Sequence, residues 1–320
     1  MSDPKTLDVL GVGCNSVDFV YRLPAAPRAD SPTAKMRISS HVVSYGGQTA
    51  TTMTACAALG LRAGYLGAIG GDDNGQRVKA ELERRGVDVS QVLTRDGPNR
   101  FAVIAVDNQT GERIVLWDRD ARLNLAPDEI RPELIASARV VHVDDEDEEA
   151  AIRTAQIGRA AGVHVTSDID RLTNRTGDLV AAVTIPMFNE HTLPKFTGES
   201  NIHRALTRLR QSHSGLLCVT LGASGSMMLA GNELVYEPGF EVAAVDTTAA
   251  GDVFRAAFIY ALLDGAQPHE MLRFANAAAA ISCTRAGAMT SVPGRQEVED
   301  ALSGAASALP SARGPSHPAM

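Results

Sequence analysis

The residues with the clearest chemical potential form one run, Val245-Asp246-Thr247-Thr248-Ala249-Ala250-Gly251-Asp252-Val253-Phe254. An apolar strand is expected to lead in, and an apolar helix, Val253–Leu263, to follow the small residues. Small side chains at a helix start leave backbone N–H groups uncovered. Those donors and the positive end of the helix dipole suit an anion, such as a phosphate or a developing negative charge. Asp252 beside such a hole is placed to take a proton from a hydroxyl, while the N–H groups around Ala249, Ala250 and Gly251 hold the phosphoryl group under attack. The same residues also describe an Asp capping an Ala-rich helix, and spacing alone leaves both readings open.

Other runs carry weaker signals. Gly46-Gly47-Gln48-Thr49-Ala50-Thr51 opens a helix, and paired glycines let backbone approach a small polar ligand closely. Gly11-Val12-Gly13-Cys14-Asn15-Ser16-Val17-Asp18 is a strand followed by a carboxylate, a group that accepts hydrogen bonds from polyol hydroxyls. Thr220-Leu221-Gly222-Ala223-Ser224-Gly225 is a glycine loop after a strand, and Asn189-Glu190-His191-Thr192 is a short polar run. Arg119, beside Trp117, Asp118 and Asp120, is a candidate for touching an anionic or polyhydroxy substrate, or else a solvent-facing strand charge.

These groups need a scaffold. Strands are expected at Leu7–Val12, Ala63–Ile69, Val140–Val143, His164–Ser167 and Leu216–Leu221. Helices are expected at Gln48–Leu59, Gly75–Arg85, Glu146–Ala161 and Glu199–Gln211. Strands alternating with helices imply an α/β fold, a central mostly parallel sheet with helices on both faces. Asp18–Leu23 with Met36–Tyr45, and Arg100–Val106 with Arg113–Trp117 around a turn at Asn108–Gly111, alternate in polarity. They read as a small β lid (about 17–45 and 100–120) or an edge extension of the main sheet. Residues 1–302 are expected to form a single domain, and 303–320, rich in Ala, Ser, Pro and Gly, a disordered tail. The acidic run Asp144–Glu149 reads as a solvated helix start, with a metal site as the alternative.

Taken together, the first run resembles the D-T-x-G/A-A-G-D pattern of the ribokinase-like (PfkB) carbohydrate kinases, and the other runs follow in that family's order from about Asp8 to Pro293. The resemblance implies an ATP-dependent kinase acting on a primary hydroxyl of a monosaccharide or sugar derivative, fructose-like or another hexose favoured. It implies Asp252 as base and an anion hole at Ala249–Gly251. Asp18, Gly46, Gly47 and the position of Thr51 would meet the sugar. Thr220, Gly222, Gly225, Asn189 and Asn276 would meet ATP. Asn189 and Glu190 would act on Mg2+ indirectly, and Asp246, Thr248 and Ser291 would hold a monovalent cation such as K+. A homodimer through the lid is also implied. The chain departs from the pattern at Ser16, Gln48 and Thr51, where ribokinases carry Asn, Lys and often Asn, and at Thr192, where the family has Glu. These departures keep two alternatives open: a nucleoside kinase of the same family, and a non-catalytic sugar- or nucleotide-binding regulator.

Composition narrows the partners. The 320 residues carry 30 Lys+Arg against 38 Asp+Glu, a net charge of −8, which argues against nucleic acid or a membrane surface as partner. Aromatics are 4 %, too few for a base-stacking platform. Cys14, Cys56, Cys218 and Cys283 form no paired spacing, so a disulfide framework or zinc site is not expected. Neither a signal peptide nor a membrane-length apolar run is visible, and a cytoplasmic setting is expected. Gly11 and Gly13 follow a strand, but no third glycine completes a dinucleotide fingerprint.

Overall fold

The computed structural model describes residues 5–110 and 112–304. From the N-terminus, β1 (Leu7–Val12) leads to β2 (Ser16–Leu23) and β3 (Ser40–Gly46). Next come α1 (Gln48–Ala58), β4 (Ala63–Leu66), β5 (Ala68–Gly70), α2 (Asp73–Arg84) and β6 (Leu93–Arg95). The hairpin β7 (Phe101–Asp107) and β8 (Arg113–Asp118) is followed by α3 (Pro132–Ala136), β9 (Ala138–Val143), α4 (Glu148–Ala160) and β10 (His164–Ser167). Then come α5 (Thr176–Ala182), β11 (Met187–Asn189), α6 (Thr192–Thr197), α7 (Ile202–Arg210) and β12 (Leu217–Thr220). The chain closes with β13 (Ser226–Ala230), β14 (Glu233–Glu237), α8 (Ala250–Asp264), α9 (Pro268–Cys283) and α10 (Arg295–Ser303). The tail expected at 303–320 lies, from residue 305 on, outside the described residues.

Strands β10-β9-β1-β4 form a parallel sheet, and parallel bridges Thr166–Ile185 and Ile169–Phe188 continue it to β11 and β12. Strands β13 and β14 add an antiparallel edge. Both faces are covered, and β1 is buried without interruption from Val9 to Val12. Its Val9 packs toward α1 and α8, while Leu10 and Val12 pack toward the opposite face, alternating as the pleat requires. This is the α/β scaffold the periodicity predicts.

A second sheet has the order β3-β2-β7-β8. Its central pair β2–β7 is parallel, and the outer pairs are antiparallel. Among the described residues it shares no ladder with the central sheet, so it is a separate layer and not an edge extension. No described helix is long and apolar enough to cross a membrane.

Several boundaries differ from expectation for physical reasons. The run expected as one strand over 63–69 breaks at Gly67. The Tyr65 hydroxyl reaches over it to donate to Gly13 O at 2.8 Å, and a Cβ at Gly67 would lie 2.0 Å from that hydroxyl. No strand leads into Asp246. Val245 is 58 % exposed, and its N–H is used by Cys283 O at 2.7 Å. Helix α7 starts at Ile202, because Asn201 caps it by accepting from Arg204 N at 3.0 Å.

The acidic run is the largest correction. Asp144 and Asp145 are 1 % and 2 % exposed, and Glu146 and Asp147 are also mostly covered. Asp147 meets Arg119 at 2.7 Å, and Glu146 meets Arg171 at 2.9 Å. Asp144 accepts from Cys14 N and Thr49 Oγ1, both at 2.7 Å, and from Glu146 N at 3.1 Å. Asp144→Ala would leave buried donors unmet at two separate elements. It is expected to cost about 3 kcal/mol or more of stability by urea denaturation; a loss under about 1 kcal/mol would show that water replaces the carboxylate.

Candidate active site

The site lies at the C-terminal ends of the parallel strands, where open α/β sheets place ligands. A cavity of about 440 Å³ lies between the central and separate sheets. Asp18 on β2, together with Gly46, Gly47 and Gln48 at the β3–α1 junction, forms one wall. Gly47 has φ +97° and lies against the Asn15 backbone, with a hypothetical Cβ 2.4 Å from Asn15 Cα, so no other residue fits there without strain. Ser16 donates to Asp18 at 2.7 Å. Burial raises the Asp18 carboxyl above its ordinary range, against the pull of Ser16 and the nearby Arg100. The separate sheet contributes Trp117, Arg100 and Arg113, and the floor holds Thr248 and Asp252.

Asp252 stands in the first turn of α8. Its helix begins after Ala249, which provides no side-chain cap, so the small residues leave the turn open as the sequence suggests. Burial, then the charge of Asp168, pushes the Asp252 carboxyl well above the ordinary range, while Arg255 opposes the shift. A second cavity of about 340 Å³ lies on the other side of this turn. Thr220, Gly222, Gly225 and Asn276 line it, together with Ala250 and Gly251. Asn276 Nδ2 is fixed by Glu237 O at 3.0 Å and Pro238 O at 3.2 Å.

Asn189 and Glu190 sit at the end of β11, next to that second cavity. Asn189 Oδ1 accepts from the N–H groups of His191 and Thr192, at 2.8 and 2.9 Å, and its Nδ2 donates to Asp170. The Glu190 carboxylate lies beside the Gly222 loop. Thr192 is buried, donating to Ile169 O at 3.0 Å, so it cannot substitute for an acidic group facing solvent. Asp246 accepts from Thr248 N and Oγ1 (3.0 and 2.5 Å) and from Gly287 N (2.9 Å). It is thereby tied to the loop carrying Ser291, whose hydroxyl donates to Ala288 O at 2.9 Å. Burial acts to raise the Asp246 carboxyl, but the hydrogen bonds outweigh it and hold the group low.

Two expected substrate contacts are corrected. Arg119 does not line the cavity; β8 ends at Asp118, and the guanidinium is taken by Asp147 and by Leu123 O. Thr51 is fully buried inside α1 and lines neither cavity. Arg100, Arg113, Glu146, Asp170 and Arg171 line the cavity and went unrecognised in the sequence. A signal existed for two of them: Asp170 and Arg171 lie in the loop that follows the parallel strand β10, where open α/β sheets place ligands.

The comparisons agree with this geometry. The model of the pfkB family carbohydrate kinases matches residues 16–295. An ATP-dependent ribose-1-phosphate kinase of Halopiger xanaduensis is 31 % identical over 88 % of this chain and 93 % of its own. A ribokinase of Haemophilus influenzae is 30 % identical over 93 % of this chain and 98 % of its own. The solved ribokinase of Thermotoga maritima superposes with a TM-score of 0.81 at 27 % identity, over 93 % of this chain and 99 % of that one. With two cavities meeting at one uncapped helix turn and a family match across most of its length, the chain belongs to the pfkB carbohydrate kinases, phosphotransferases that act on a sugar hydroxyl.

Proposed function

We propose that the protein transfers the terminal phosphoryl group of ATP to a primary hydroxyl of a monosaccharide or sugar derivative, with fructose-like and other hexoses favoured. One observation carries this reading. The first turn of α8 is shared, with Asp252 facing one cavity and Ala250 and Gly251 facing the other. The sugar is held by Asp18 and the Gly46–Gly47 backbone. Asp252 accepts the hydroxyl proton, and the N–H groups of the turn stabilise charge on the phosphoryl group. The separate sheet acts as a lid on a 1–302 domain, excluding the water that would otherwise compete as acceptor.

The nucleotide is assigned to the second cavity, against Thr220, Gly222, Gly225 and Asn276, with Phe240 and Phe254 as apolar wall. Magnesium, when bound, neutralises charge on the phosphates. Asn189 and Glu190 are oriented to act on it through water, and the placement of Glu190 beside Gly222 supports this. The loop pair carrying Asp246, Thr248 and Ser291 is the proposed monovalent-cation site, since Asp246 stays ionised there. The proposed homodimer uses the lid, where Val42, Ile114, Leu116 and Trp117 are between 51 and 63 % exposed. A monomer in solution at micromolar concentration argues against that contact.

Three experiments test the function. The base works only as a carboxylate, and its pKa is raised. Turnover is therefore retained above that pKa and falls about tenfold per unit as pH drops below it. Asp252→Asn is expected to fold and bind ATP but lose about 10²–10⁴-fold in kcat; near-normal turnover would remove Asp252 from the role. A panel of hexoses, pentoses, sugar phosphates and nucleosides, with ADP and phosphorylated product both measured, should show the highest kcat/KM for a hexose. It should also show higher rates in potassium than in tetramethylammonium salts. A nucleoside preference would replace the substrate class, and Trp117 in the cavity wall would supply its stacking face. Binding without any ADP formation would support the non-catalytic reading.

A further inference from the structure

A buried ion pair lies directly beneath the catalytic turn. Arg255 stands one helical turn after Asp252, and it pairs with Asp168, which follows the last residue of β10. The side chains are 4 % and 3 % exposed. The guanidinium folds back under the start of its own helix, and a Cβ at Gly251 would lie 2.6 Å from Arg255 Nη1. Arg255 Nε makes no hydrogen bond. Such a pair is hard to explain as a stabiliser. Burying two charges costs more desolvation than an apolar pair of the same volume. A guanidinium folded back to the N-terminal end of α8 also opposes the helix dipole.

Its surroundings explain it better. Acting on Asp252 from beneath are Asp168, which follows β10, Asp144 at the end of β9, and Arg255 on its own helix. From the cavity side come Asp18, Glu146, Asp170, Arg100, Arg113 and Arg171. Among the groups beneath, Arg255 is the one cation. The Asp168 carboxyl is itself raised to about 7, by burial first, with Arg255 opposing. We propose that Arg255, clamped by Asp168, is a positioning residue that keeps Asp252 in its carboxylate form and props the Gly251 turn of the anion hole. This rests on the reading of Asp252 as the base.

Asp168 and Asp252 then share one countercharge, and the acid limb of the rate profile belongs to the coupled pair. The two partners should act with opposite sign. Arg255→Met removes the cation and should move the acid limb of kcat upward by about one unit or more, lowering turnover near neutral pH about tenfold. Asp168→Asn removes a like charge, leaves the cation, and should move the limb downward. Arg255→Lys should restore most of the wild-type profile. The double variant Asp168→Leu/Arg255→Met replaces the pair with apolar volume; it should stay folded by circular dichroism, and its limb should fall between those of Arg255→Met and Asp168→Asn, because the cation and the like charge are lost together. A merely structural role would lower kcat evenly across pH without moving the limb. Shifts of the same sign, or no shift, in Arg255→Met and Asp168→Asn would overturn the proposal. Titration of Asp252 by ¹³C-carboxyl NMR in the substrate-free protein reads the same displacements without turnover. A wild type that forms no ADP with any sugar would therefore sink the kinase reading, while the titration would still decide this one.

Discussion

The buried carboxylate of Asp144 is the constraint from which the site's geometry follows. It sits just past the end of β9, yet its oxygens are spent on the chain after β1, through Cys14 N, and on the first turn of α1, through Thr49. A sheet edge has no reason of its own to end three elements at one depth. Here one charged acceptor gathers them, because each donor would otherwise be buried without a partner. The wall formed by Gly46, Gly47 and Gln48 is the direct result, since it lies between the two segments that Asp144 holds.

The charges of the site divide by height. Below the floor, carboxylates outnumber cations, with Arg255 the single offset. In the cavity wall, Arg100, Arg113 and Arg171 stand with Asp18, Glu146 and Asp170. An overall charge of −8 is compatible with a polyanionic nucleotide on these terms. In the proposed function the phosphates would be met by backbone N–H groups at the start of α8 and by a local set of groups, with no need for a basic surface.

Much of this was legible in the sequence, and the failures have identifiable causes. Buried parallel strands such as β1 and β9 fell where short, mostly apolar runs stood. The start of α8 was readable because Ala249 and Ala250 have nothing with which to cap it. Charges read locally misled. The run Asp144–Glu149 looked solvated because its partners, Arg119 and Arg171, lie more than 20 residues away along the chain. Arg119 follows the hairpin strand that carries Trp117, but β8 ends at Asp118, and the guanidinium turns to the buried Asp147. Thr51 was placed at the ligand by motif position, but on α1 that position turns inward.

The separate sheet is entered twice from the central scaffold, after β1 through Asn15 and before β7 through Asn99. Asn99 Nδ2 donates to Asn15 Oδ1 at 3.1 Å, and Asn15 is itself pinned to Ala68 O at 2.8 Å and to the Tyr65 hydroxyl at 3.1 Å. The two entry points, hydrogen-bonded to each other, act as one shared anchor for the parallel pair β2–β7. Trp117 and Arg113, at different heights on β8, are carried over the cavity from that anchor.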